Sequence, residues 1–268
     1  MRNRLLYSSL AALALMAACQ QPTAPAGSGQ VKMAFSARPA PAAAGTAGAT
    51  SFLVMGADTV LSASDTLVID SVQIVLRKIE LKRLDGSACD TALSSEGEND
   101  GCEEVEAGPV LVNLPLGDTA TQMFSVNIPV GSYDKVEFQV HVPTTDSRDQ
   151  AFLAANPQFA GTSIRVVGRF NGKAFVFTSG LTAEQELELS PPLTVSDTGA
   201  TSLTIRADIG KWFLNGTALV DPSTALAGGA NESLVRNNIQ ASFQGLHDSN
   251  EDGLDDGTEE GSGGEGGH

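Results

Sequence analysis

The chain has 268 residues, room for one large domain or two small ones. Its 16 Lys and Arg stand against 32 Asp and Glu, a formal charge of −16. That balance argues against a nucleic-acid binder, which needs a basic face, and a hydrophobic content of 41% is too high for a wholly disordered chain.

Residues 1–18 read as an export signal rather than as part of the fold. Arg2 and Arg4 form a positive start, Leu5 to Met16 an apolar stretch too short to remain in a bilayer, and Ala17-Ala18 a small-residue cleavage site. The run Leu15-Met16-Ala17-Ala18-Cys19 resembles the bacterial lipobox, with Met16 where Leu is commoner. The resemblance implies that the Cys19 thiol receives a diacylglycerol and that cleavage before it frees an amine for a further acyl chain. An ordinary secretory signal with an incidental Cys is the plain alternative. No other apolar run is long enough for a transmembrane helix, so the acyl chains would be the whole anchor. Gln20 stands where inner-membrane lipoproteins of enterobacteria carry Asp, so the resemblance favours the outer membrane. Residues 19–30 then form a flexible tether to a body spanning residues 31–246, with an acidic tail over 247–268.

The acidity is localised. Eight acids and no base lie between Asp85 and Glu106, and eight more between Asp248 and Glu265, which together equal the net charge. Such runs are usually solvated loops or tails. Within the first, Cys89 and Cys102 are the pair left once Cys19 is lipidated. In an oxidising compartment they are expected to form a disulfide worth about 3 kcal/mol for a loop of that length. A metal or redox pair is the alternative, and neither a C-x-x-C spacing nor a nearby His supports it.

Period-2 alternation recurs through the body. The predicted strands are 31–37, 51–55, 66–83, 110–114, 122–129, 134–142, 163–170, 173–178, 185–189 and 201–208. In segment 66–83, Val72, Ile74 and Leu76 share one parity and Ile79 and Leu81 the other, which predicts one long strand with a bulge near Arg77-Lys78. Asn171-Gly172 between two apolar runs predicts a tight hairpin. Near the end, Asn231 followed by Leu234, Val235, Ile239, Phe243 and Leu246 predicts a helix. The fold expected is all-β: a Greek-key β-sandwich with one C-terminal helix.

The Pro129-Val130-Gly131-Ser132-Tyr133 turn resembles the P-x-G-x-Y element of bacterial immunoglobulin-like and carboxypeptidase-regulatory-like sandwiches. Residues Glu106 to Val112, Trp212-Phe213 and Leu219 to Pro222 resemble an uncharacterised bacterial lipoprotein family with a domain of unknown function. The likeness implies a β-sandwich in the envelope and no activity. A buried Tyr133 hydroxyl tying the turn, as in a tyrosine corner, accounts for the motif structurally.

One motif carries chemistry. Asp248 to Glu259 matches D-x-[DN]-x-[DN]-G-x5-E, the template of a calcium loop, and its core also resembles thrombospondin type 3 loops. The expected oxygen ligands are Asp248, Asn250, Asp252, the Leu254 carbonyl, Asp256 and Glu259, with Gly253 making the sharp turn. Asp255 stands where an EF-hand places an apolar residue, and no exit helix follows, so weak, extracellular-type Ca²⁺ binding is expected. A solvated acidic tail is the bland reading. His141 is expected to be exposed on its strand, His247 borders the loop, and Trp212 reads as core rather than as a sugar platform. The chain holds no nucleophile elbow, H-E-x-x-H, P-loop or dinucleotide motif, which argues against an enzyme. The function expected is that of a non-catalytic, lipid-anchored envelope protein with a structural or surface-interaction role. A binding module for glycan or another envelope polymer is the alternative, and partners beyond the membrane are unspecified.

Overall fold

The computed structural model describes residues 27–37, 53–54, 59–62, 64–84, 102–106, 108–117, 120–250, 252–253 and 255–256. In chain order its strands are β1 (Ser28–Ser36), β2 (Leu53–Val54), β3 (Thr59–Leu61), β4 (Thr66–Arg83), β5 (Cys102–Glu106), β6 (Val110–Leu114), β7 (Thr121–Pro129) and β8 (Gly131–Val140), followed by helix α1 (Ser147–Ala155). After α1 come β9 (Ile164–Phe170), β10 (Lys173–Ser179), β11 (Ala183–Val195), β12 (Ala200–Ala207), β13 (Leu214–Asn215) and β14 (Ala218–Leu219), then helix α2 (Glu232–Gln240) and β15 (Phe243–His247). A four-stranded sheet has the order β15-β12-β1-β7, a second sheet of nine strands is built round β4, and β13-β14 form a small ribbon. One core joins the two main sheets, so the fold is an all-β sandwich.

β4 runs for 18 residues, whereas most strands have three to ten. Its first half pairs with β9 and its second with β8, while β3, β6 and β5 line the opposite edge in turn. The core-facing residues change parity twice: Leu67 and Ile69, then Val72, Ile74 and Leu76, then Ile79 and Leu81 are all buried. Each change is a bulge. One lies between Arg77 and Glu80, where Lys78 takes φ 52°, as the sequence predicts. The other, between Ile69 and Ser71, escaped the sequence reading. Between them Val75 N–H donates to Ser163 O, and Val75 O accepts from His141 N–H, so this residue ties the end of β8 and the start of β9 to β4. Beyond the fork, α1 and a 3-10 turn at Pro157–Phe159 separate β8 from β9, with Phe159 fully buried and Phe152 edge-on to it.

The predicted hairpin forms between β9 and β10. Asn171 (φ 50°) and Gly172 (φ 79°) supply the two left-handed residues of a type I′ turn. The Asn171 amide N–H and side-chain oxygen both bond the Thr66 backbone, which fastens the turn to β4. Tyr133 is buried, its hydroxyl donates to Pro129 O at 2.7 Å, and the Arg83 guanidinium lies 5.5 Å from its ring centre.

Trp212 is wholly buried, and its Nε1–H donates to Ser242 Oγ at 2.8 Å. Phe213 packs edge-on to Phe175 and Phe177. Asn238 of α2 donates to the carbonyls of Trp212 and Leu214, and Val235 and Ile239 bury their side chains, so the helix docks on this corner.

Two expectations fail here. The helix predicted from Asn231 to Leu246 ends at Gln240, and Phe243 and Leu246 lie on β15, paired with β12. The i, i+4 spacing of Ile239 and Phe243 imitated a helical stripe. Phe243 and Leu246 project from opposite faces of a strand, and both are buried, Phe243 edge-on to Phe138. The acidic run from Asp85 to Glu106 is not loop throughout, since its last five residues form β5 against β4. In addition, α1 was not foreseen, and β12 joins β1 in parallel.

The bulge makes a testable demand on Lys78. A β-branched residue resists positive φ, so Lys78→Val is expected to lower stability by about 1–2 kcal/mol, while Lys78→Gly stays within about 0.5 kcal/mol of wild type. Urea denaturation measures both, and equal losses in the two variants would contradict the bulge.

Candidate functional site

The calcium-template segment starts where β15 ends. Asp248 is wholly buried, with Oδ1 accepting from Asp252 N–H at 3.0 Å and Oδ2 from Gly253 N–H at 2.9 Å. Asn250 Oδ1 also accepts from Asp252 N–H, and Asp256 Oδ2 accepts from Ser249 N–H at 2.9 Å. Gly253 takes φ 80°, the left-handed turn its position in the template requires. The backbone therefore coils round the Asp248 carboxylate, and the loop leaves a strand rather than the helix the sequence suggested.

Leu254 and Glu259 lie outside the described residues, as do Cys19 and Cys89, while Cys102 begins β5 opposite Lys82. Among the described residues no three His, Cys, Asp or Glu side chains converge to hold a metal. The donors of the loop are hard oxygens suited to Ca²⁺, and each Asp248 oxygen spends one lone pair on an amide and keeps another. The residues thus fit the ion chemically. His247 Nε2–H donates to Pro191 O at 2.6 Å, so that imidazole points at β11 and not at the loop.

His141, expected at the surface, is buried. Lys135, Glu137 and Gln139 alternate outward on β8, and the same parity carries His141 to where α1 covers the sheet. Its Nε2–H donates to Asp149 Oδ2 at 2.8 Å, and Thr144 adds its amide at 2.8 Å and its hydroxyl at 3.2 Å to the same oxygen. Burial pushes the Asp149 carboxyl up, but the Thr144 amide and His141 outweigh it and hold it below the ordinary aspartate range. The pair fixes the first turn of α1 beside the β4 fork. The spacing His141–Thr144–Asp149 was the available signal, and it could be read only once a helix was placed at Ser147.

A third charged group lies on the outer face of β8 and β11. Lys82 binds Glu137, and Lys135 binds Glu186 at 2.7 Å and Glu188 at 3.3 Å. A hydrogen bond from Glu137 and the ion pair with Lys135 hold Glu186 down to about 2. Burial, then the facing Glu186, raises the Glu137 carboxyl above the ordinary glutamate range, against the pull of Lys82. Trp212 lies in the core, as expected, so it offers no platform for a sugar.

Against known protein families, curated proteins and solved structures, the chain finds no match.

Because Asp149 is depressed in the folded chain, its stabilisation is present above the unfolded value of about 3.9 and is lost as pH falls through the lower folded value. Asp149→Asn is therefore expected to lower Tm at pH 7, with the gap to wild type narrowing as the pH falls below about 4. Thermal melts across that range check it, and a gap that does not change with pH would rule the charge out.

Proposed function

We propose that the chain is a lipid-anchored envelope protein with no catalytic role, whose β-sandwich acts as a structural or surface-interaction body steadied by a weak C-terminal Ca²⁺ site. The observation that carries this reading is the lipobox-like run ending at Cys19, placed nine residues ahead of Ser28, where the first described strand begins. At about 3.3 Å per residue that spacer reaches about 30 Å, so acylation of Cys19 would keep the sandwich within one domain's width of the bilayer. The disulfide between Cys89 and Cys102 belongs to the same reading, since an exported chain meets oxidant.

The coil round Asp248 supports the calcium part. Asp248, Asn250, Asp252 and Asp256 would hold the ion with the Leu254 carbonyl and Glu259. The bound ion would neutralise carboxylates gathered in one short loop and fix the end of β15.

Two measurements test the reading. In a bacterium that acylates lipoproteins, labelled palmitate is expected on the chain and in the membrane fraction, and both signals should vanish in Cys19→Ser. An unlabelled, cytosolic wild type would refute the anchor. With a dissociation constant of about 1 mM, 10 mM Ca²⁺ stabilises by about 1.4 kcal/mol, or about 3–5 °C in Tm. Asp248→Ala with Asp252→Ala should abolish that rise, and an unresponsive wild type would eliminate the calcium site.

A further inference from the structure

The edges of the two sheets come together along β11 and β15. Among the described residues β11 has β8 as its only strand partner, and β15 has only β12. Asp208 N–H donates to Ser242 O, in register with the β12–β15 ladder. Antiparallel pairs alternate between hydrogen-bonded and non-hydrogen-bonded, so Arg206–Gln244 and Thr204–Leu246 are the bonded ones. Phe243, Gly245 and His247 consequently turn their N–H and C=O groups away from β12.

The two edges differ in kind. β11 contains Pro191-Pro192, which cannot donate to a ladder, and exposes Glu184, Glu186 and Glu188, as protected edges do. β15 reads Phe-Gln-Gly-Leu-His, with neither proline nor an acidic or Lys/Arg side chain. A cleft of about 540 Å³ opens between them. Leu187 and Phe243 give it apolar wall, Gln244 is tied to Arg206 on the floor, and Glu186, Glu188 and Asp255 supply carboxylates. Three acids and Arg206 line the cleft; behind Glu186 and Glu188 stand Lys135 and Lys82, the latter shared with Glu137, so four acids meet three bases and a negative excess remains.

We propose that this cleft takes an extended basic peptide segment as an added strand on the edge of β15 that faces away from β12. Three residues of β15 supply main-chain bonds, Leu187 and Phe243 take apolar side chains, and Glu186, Glu188 and Asp255 take Lys or Arg side chains at alternate positions. The inference needs neither the lipid at Cys19 nor bound Ca²⁺, so it can fail while the anchor and the ion site stand, and the reverse.

The test uses the mature chain and a fluorescent eight-residue peptide alternating Lys and Val. Saturable binding by anisotropy is expected, weakened at least about tenfold when Glu replaces Lys and several-fold by Glu188→Lys on the protein. N-methylation of one alternate set of peptide residues should abolish binding, and methylation of the other set should leave it intact, because only one set faces the edge. In ¹⁵N spectra the amides of Phe243, Gly245 and His247 should shift more than those of Gln244 and Leu246. No saturable binding, equal binding of both methylated peptides, or equal binding of the acidic peptide would each overturn the proposal, the last two by reducing the contact to non-specific adhesion.

Discussion

A strand has two edges, and β4 has five partners. That mismatch shapes the larger sheet. β4 meets it by length and by exchanging partners halfway, with β9 giving way to β8 on one edge while β3, β6 and β5 follow one another on the other. Each change of direction takes one extra residue, and each extra residue would turn the hydrophobic set outward unless the sequence changed parity with it. It does so at Asp70-Ser71 and again at Arg77-Lys78, which is why Ile79 and Leu81 remain buried after the second slip. Between the bulges the neighbouring strands part, and the backbone of Val75 holds both. The buried His141–Asp149 pair is the local answer to that fork, because it seats α1 over the gap.

Much of this was legible because strand residues buried on one face must alternate. The bounds of β4 and β6 and the slip near Lys78 follow from parity alone, and the β9–β10 turn follows from the tolerance of Asn171 and Gly172 for positive φ. What escaped did so for physical reasons. In α1, Ser147 to Ala155 buries only Asp149, so no apolar stripe announces a helix. β15 buries Phe243 on one face and Leu246 on the other, which erases its alternation and leaves Ile239 and Phe243 at a helical spacing. β5 carries three glutamates in five residues, a composition that reads as solvated loop. His141 reads as exposed because nothing apolar in the sequence announces the helix that covers it.

The candidate loop shows the same division. Its template, the need for glycine at 253 and the identity of its oxygen donors are properties of local sequence. The burial of Asp248 is not local: it follows from β15 carrying the chain along the edge of the smaller sheet and delivering that residue inside. The same strand presents one edge to β12 and the other to the acidic cleft, so β15 links the C-terminal loop to the seam between the sheets.

The parallel pairing of β1 with β12 sets an order of assembly. β1 can meet β7 early, but its other edge stays open until almost all of the intervening sequence has been made and β12 arrives. Closing so long a connection is entropically slow, and contacts this remote in sequence lengthen folding times. Among the described strands, the first to emerge is therefore among the last to be enclosed, and a chain truncated before Ala200 would leave it half paired.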